Sequence, residues 1–136
     1  MDLIRVLGDA YPTLIKGLGM TVGITVLSLL LALVIGVITC LFGMSKFKPL
    51  KWIASVYIWI IRGTPMLVQA VYIYFAMPQL IQLIVGPGFK IDVFTASLLT
   101  LTLNAGAYIS EIFRGAIEAV NKGQMEAARS LGLSYG

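Results

Sequence analysis

The sequence contains no histidine, a single cysteine and only 12% charged residues. Without histidine, neither a Ser/His/Asp nor a Cys/His catalytic set can form. Cys40 can make no disulfide within the chain and has no companion for a metal site, so we assign it to packing. The nucleotide-binding pattern G-x-x-x-x-G-K-[ST] is absent as well. The sequence therefore predicts no catalytic residue, no metal site, no enzyme and no cofactor bound by this chain.

The scarcity of charge accompanies long apolar runs. Hydrophobic residues make up 59% of the chain, whereas a soluble domain has about 25% charged residues. Three runs, 20–42, 65–84 and 93–113, are long enough to cross a hydrocarbon core of about 30 Å as helices. The basic residues behind the net charge of +4 are scattered over loops and form no stripe of the kind that binds nucleic acid. We predict an all-α membrane protein, one domain with three transmembrane helices, that contacts the lipid bilayer and no nucleic acid.

The segments between these runs predict the topology. Residues 1–19 are expected to form an amphipathic lead-in at the membrane surface, 43–64 a loop with an interfacial helix, 85–92 a turn, and 114–136 a polar loop. Three basic residues lie on the side of the N-terminus and the turn, against seven on the other side: Lys46, Lys48, Lys51, Arg62, Arg114, Lys122 and Arg129. The positive-inside rule predicts that 114–136 is cytoplasmic and the N-terminus external.

Small and polar residues recur at helical spacing within the spans. The small residues of the first span form one face that predicts close helix packing: Thr21, Thr25, Ser28, Ala32 and Gly36. Polar side chains on one face of the second and third spans should not contact lipid, so they face either neighbouring helices or a wet pathway. The candidate pathway residues are Gln69, Tyr72, Thr100, Asn104 and Tyr108. Glu111 is instead expected to pair with Arg114, three residues further along the helix.

The second span is expected to begin at a capped corner and to bend once. Thr64 is predicted to cap its N-terminus, with Pro65 in the first turn. Pro78 is predicted to kink the helix further along, because it lacks the backbone N–H of a regular turn.

The polar stretch 114–136 reads as a water-exposed helix, a turn at 121–123 and a second short helix, Gln124–Leu131. Glu126 is expected in the first turn of that helix, and Gly132 at its left-handed end. Met125, Ala128 and Leu131 share a small apolar face, and the minimal side chains of Ala127 and Ala128 allow a partner to approach the backbone. An ordinary capped surface helix is the alternative interpretation.

Two motifs carry a resemblance to a known family. Glu126-Ala127-Ala128, followed by Gly132, resembles the EAA loop of ABC-importer permeases, and the longer match from Lys122 to Ser134 is similar to the polar amino-acid branch. Arg62-Gly63-Thr64-Pro65, followed by Met66-Leu67-Val68-Gln69, resembles the same branch. The resemblance implies a type I permease fold in which the loop is a coupling helix that docks on a cytoplasmic ATPase. The coupling residues that it implies are Gly123, Glu126, Ala127, Ala128, Leu131 and Gly132.

The resemblance also implies the partners. These are an ABC ATPase subunit that uses ATP and Mg, an extracytoplasmic amino-acid-binding protein, and a second permease subunit in a homodimer or heterodimer. Together they import a polar amino acid across a prokaryotic plasma membrane. The family's loop continues into an Ile-x-Leu-Pro stretch and further helices, whereas this sequence ends at Gly136, so it resembles a permease truncated within that loop. The alternatives are a fragment of a secondary transporter or channel, and a membrane scaffold without transport activity.

Overall fold

A computed structural model describes residues 2–120 and 122–132, apart from the side chains of residues 2–7, 9 and 122. The described ranges contain helices and no strand. The elements in chain order are α1 (Asp2–Met44), α2 (Lys48–Gly63), α3 (Met66–Val71), a π-helical turn (Tyr72–Ala76), α4 (Met77–Val85), α5 (Val93–Glu118) and α6 (Lys122–Ser130).

Three helical segments are long and apolar enough to cross a membrane: Ala10–Met44, Met66–Val85 and Val93–Glu118. The last two begin within one residue of the predicted spans, and α5 continues past the predicted end at 113. The 16-residue α2 is too short to be one of these spans. These features confirm an all-α membrane protein with three spanning helices.

The predicted surface lead-in and the first span belong to one helix, because α1 runs without a break from Asp2 to Met44. The charges in 1–19 interrupt an apolar run, but they do not interrupt the backbone hydrogen bonds on which a helix depends. The glycines in this region cost about 1 kcal/mol each relative to alanine, which lowers helix propensity without ending the helix. Residues before the first span therefore extend the same helix.

The main helix contact joins α1 to α5. Ser28, Ala32 and Gly36 of the predicted small-residue face are buried, whereas Thr21 and Thr25, nearer the N-terminus, are exposed. A Cβ atom on Gly36 would lie 2.6 Å from Cγ2 of Ile109 in α5. The absence of a side chain therefore lets the two backbones approach closely, which is how helices pack in lipid without a hydrophobic driving force between them.

A second close approach on α5 brings in α2. A Cβ atom on Gly106 would lie 3.0 Å from Cγ2 of Ile35 and 3.1 Å from the hydroxyl oxygen of Tyr57. That hydroxyl donates a hydrogen bond of 2.6 Å to the carbonyl oxygen of Leu103. The short helix α2 is thus attached to α5 through a polar contact made possible by a glycine.

The ends and irregular turns of the spans follow local chemistry. Asp92 caps α5 by accepting hydrogen bonds from the Thr95 hydroxyl at 2.7 Å and the Thr95 N–H at 3.0 Å. These bonds hold the pKa of the Asp92 carboxyl below its usual value.

The second span contains an irregular turn. There, the N–H of Met77 donates to the carbonyl oxygen of Tyr72, five residues earlier. The predicted irregularity at Pro78 therefore takes the form of a π turn immediately before it, one of the adjustments by which spanning helices accommodate proline.

We predict that Gly36→Ala weakens the contact between α1 and α5. The new methyl group would collide with Ile109, and overpacking of this kind costs about 1–3 kcal/mol. Unfolding in mixed micelles, followed by circular dichroism, measures the change. Gly23→Ala is the matched control, because it lies on the same helix with no atom within 4 Å of the added Cβ. Equal stability of the two variants would contradict the assignment of Gly36 to helix packing.

Candidate functional site

The corner between α2 and α3 is held by one side chain, Gln69. Its amide nitrogen donates to the carbonyl oxygens of Ile61 at 2.7 Å and Thr64 at 3.1 Å, and it lies 2.9 Å from the Thr64 hydroxyl. The prediction that Thr64 caps the next helix is wrong. Its hydroxyl instead donates to the carbonyl oxygen of Ile60 at 2.8 Å, and Pro65 occupies the cap position without a side-chain bond. The physical reason is that the preceding helix presents a carbonyl four residues earlier, within reach of the hydroxyl.

The same glutamine joins the corner to α5. The amide nitrogen of Asn104 donates to the side-chain oxygen of Gln69 at 3.1 Å. The Gln69 amide therefore uses its nitrogen within the corner and its oxygen toward the third span. Two residues predicted from separate spans are in direct contact, which satisfies two side-chain amides that lipid could not.

A series of charged contacts continues along α5 from this point. The guanidinium carbon of Arg62 lies 5.3 Å from the ring centroid of Tyr108, and Nη1 of Arg62 lies 3.1 Å from Oε2 of Glu111. Arg114 holds both carboxylate oxygens of Glu111, with Nε at 3.0 Å from Oε1 and Nη2 at 2.8 Å from Oε2. Its Nη1 also pairs with Glu118 at 2.8 Å. The predicted pair of Glu111 with Arg114 is confirmed, and Arg62 is an additional partner.

Three of the five predicted pathway residues lie together where the corner meets α5: Gln69, Asn104 and Tyr108. The other two are Tyr72 and Thr100. Tyr72 lies on the π turn, and half of its surface is exposed. Thr100 is only 3% exposed, and its hydroxyl donates to the carbonyl oxygen of Ala96 at 2.7 Å. Thr100 therefore packs inside the bundle with its hydroxyl bonded to its own helix.

The predicted coupling helix corresponds to α6. Of the coupling residues, Ala128 is half-buried, and Gly123, Glu126, Ala127, Leu131 and Gly132 are exposed. Gly132 has a φ of +84°, and its N–H bonds the carbonyl oxygen of Arg129 at 3.0 Å, so its predicted left-handed conformation is confirmed. Glu126 does not lie in the first turn, because the helix begins at Lys122 rather than Gln124. In the predicted turn, Asn121 lies outside the described residues.

Most of the chain is similar to known transport proteins. The family of inner membrane components of binding-protein-dependent transport systems matches residues 28–136. The chain belongs to this family. It is 43% identical over 125 residues to the arginine transport system permease protein ArtQ of Bacillus subtilis (strain 168), a match that covers 92% of this chain and 54% of ArtQ. It is 44% identical over 129 residues to the glutamine transport system permease protein GlnP of Escherichia coli (strain K12), with coverage of 92% and 55%.

A solved structure described as an amino acid ABC transporter with histidines is 41% identical to this chain, with a TM-score of 0.83. That match covers 96% of this chain and 58% of the other. The chain thus has the fold of this family's members, and it spans about half the length of the curated relatives it matches.

The pairing of Arg62 with Glu111 could not be inferred from spacing within one helix. Arg62 and Glu111 are 49 residues apart in the sequence, and neither residue's position indicates the other. The available signal is that Arg62 follows the apolar residues of α2, and Glu111 lies near the end of the predicted third span. With Lys51, Arg114 and Glu118, they line a cavity of about 750 Å³ between the ends of α1, α2 and α5. The three cations and two carboxylates make this cavity weakly positive.

We predict that Gln69→Leu loosens the corner. The substitution removes the donor to two backbone carbonyls and the acceptor for Asn104. Leaving a polar group without a partner costs about 1–3 kcal/mol when it is fully buried, and these part-buried groups should cost less. Hydrogen–deuterium exchange in detergent should become faster at residues 66–71. Gln79→Leu is the matched control, because Gln79 is exposed on the same span. Unchanged exchange in Gln69→Leu, or an equal change in both variants, would contradict the role given to Gln69.

Proposed function

We propose that this chain is the permease subunit of an ATP-driven ABC importer that moves a polar amino acid into the cell. Membership of the transport-system family supports a permease role. The names of ArtQ and GlnP, which refer to arginine and glutamine, support a polar amino acid as the solute. The chain itself would be the translocation subunit, with ATP and Mg used by a separate ATPase.

The observation that carries this proposal is the form of α6. A nine-residue helix follows directly on the third span and ends at a left-handed glycine, and its alanines leave the backbone open to close approach. Leu131 is 82% exposed at its end. An exposed leucine beside small residues is suited to a pocket on a soluble partner, since interface anchors fill pockets among near-neutral contacts. In an importer that partner is the ATPase.

The remaining partners follow from the same proposal. The excess of basic residues on the side of α6 supports a cytoplasmic position for this helix and an external N-terminus. An extracytoplasmic binding protein would then deliver the solute to the outer face. A second permease subunit, identical or related, would complete the translocation pathway in a prokaryotic plasma membrane.

The solute pathway is proposed to pass the contact between the corner and α5. A zwitterionic amino acid needs partners for its ammonium and carboxylate groups, because unpaired charge in a low-dielectric environment is very costly. Gln69 and Asn104 supply amides, and Tyr72 and Tyr108 supply phenols that are about half exposed. Solute and helix packing would compete for the same amides, so the mutual bond of Gln69 and Asn104 is the resting arrangement in this proposal.

We predict that Ala128→Arg uncouples the transporter. A large charged side chain would hold the ATPase away from the α6 backbone. The loss of a close-packed contact at an interface centre costs about 2 kcal/mol or more, which weakens association by at least about thirtyfold. Co-purification of the ATPase in detergent and ATP-dependent uptake measure the effect. Ala128→Ser is the matched control, since it keeps a small side chain at the same position. Undiminished association and uptake with Ala128→Arg would refute the docking role of α6.

A further inference from the structure

We propose that Arg62 is a positioning residue for coupling. By pairing with Glu111, it holds the corner between α2 and α3 and the helix α5 together as one rigid body. A movement of α6 would then be transmitted along α5 to Gln69 and Asn104. The inference rests on the proposed function and adds to it a residue outside the coupling helix and the solute pathway.

The corner is attached to α5 at two separated levels. Gln69 contacts Asn104 and Arg62 contacts Glu111, at 3.1 Å in each case. Asn104 and Glu111 lie seven residues apart on α5, which is about 10.5 Å along the helix axis. Tyr57 of α2 contacts α5 beside Asn104, at Leu103, so Arg62 supplies the attachment at a second level of α5. That second level restricts rotation of the segment about the first.

Glu111 is itself held on α5 by a second arginine. Arg114 binds both of its carboxylate oxygens and also reaches Glu118, the last residue of the helix. The contacts of Arg62 therefore continue to the end of α5, and α6 begins four residues later at Lys122. Movement of α6 acts on this end of the helix first.

Arginine has the chemistry that this position requires. The planar guanidinium lies over the ring of Tyr108 while it donates to Glu111. An ammonium group is a compact point charge without a planar face to place over a ring while its edge donates to a carboxylate. Arg62 thereby contacts α5 through two side chains, one turn apart.

The pair has a side-chain exposure of 41% for Arg62 and 24% for Glu111. An ion pair this exposed contributes little to stability in general. Its loss should therefore change how motion is transmitted more than whether the chain folds. This difference separates a positioning role from a purely structural one.

The test uses the complete transporter in proteoliposomes, supplied with its binding protein, and measures ATP hydrolysis and amino-acid uptake in the same sample. Arg62→Gln is expected to keep ATPase association and hydrolysis while uptake per ATP falls by about three- to fivefold, the most that loss of an exposed ion pair accounts for. Arg62→Lys should recover part of the loss, because it restores the charge without the ring contact. Lys51→Gln, which changes another basic residue of the same helix and cavity, should leave the ratio unchanged.

A covalent link tests whether the two elements move together. In a Cys40→Ala background, Arg62→Cys combined with Glu111→Cys can be bridged by a short bifunctional thiol reagent, and bridging should restore uptake. Loss of uptake on bridging would overturn the inference, because the pair would then have to open. Equal decreases of hydrolysis and uptake in Arg62→Gln, or no decrease in either, would also overturn it. Absence of ATP-dependent uptake in the unmodified transporter would instead refute the proposed function.

Discussion

Polar groups in membrane helices must find hydrogen-bond partners within the protein, because lipid offers none. This constraint shapes the structure. The Gln69 amide meets this need at the point where the chain turns between α2 and α3. Its nitrogen satisfies the carbonyls of Ile61 and Thr64, and its oxygen accepts from Asn104. One side chain thereby holds the corner and attaches it to α5. The close contact of α1 with α5 at Gly36 supports the same helix from the other side.

The spans, their number and the short α2 could be predicted from the sequence, because each is a property of a continuous apolar stretch. The pair of Glu111 with Arg114 was predictable for a similar reason, since its spacing lies within one helix. The interaction of Arg62 with Glu111 was not, because it joins two helices and depends on how they pack. Thr64 and Thr100 show a further limit of local reasoning. Each hydroxyl bonds a carbonyl four residues earlier in its own helix, a choice that competes with capping or solute contact and leaves no mark in the residue pattern.

The site and α6 form two ends of one helical system in the proposed mechanism. The amides and phenols lie where the corner meets α5, and the coupling residues follow the end of α5. Between them lie Arg62, Glu111, Arg114 and Glu118, joined by contacts of 2.8 to 3.1 Å. A transporter of this kind is a bistable element that a partner biases by contacting one state more strongly than the other. In this proposal, the charged series would give that bias a route from the ATPase to the solute.

The central claim is that α6 is the surface at which an ATPase acts on this membrane protein. The most direct measurement is site-specific photocrosslinking in intact membranes, with a photoreactive phenylalanine at Leu131 and, as a control, at Leu83, an exposed leucine of α4. The account predicts an adduct from Leu131, identified by mass spectrometry as a subunit with a nucleotide-binding loop, and none from Leu83. No ATPase adduct from Leu131, or equal adducts from both positions, would contradict it.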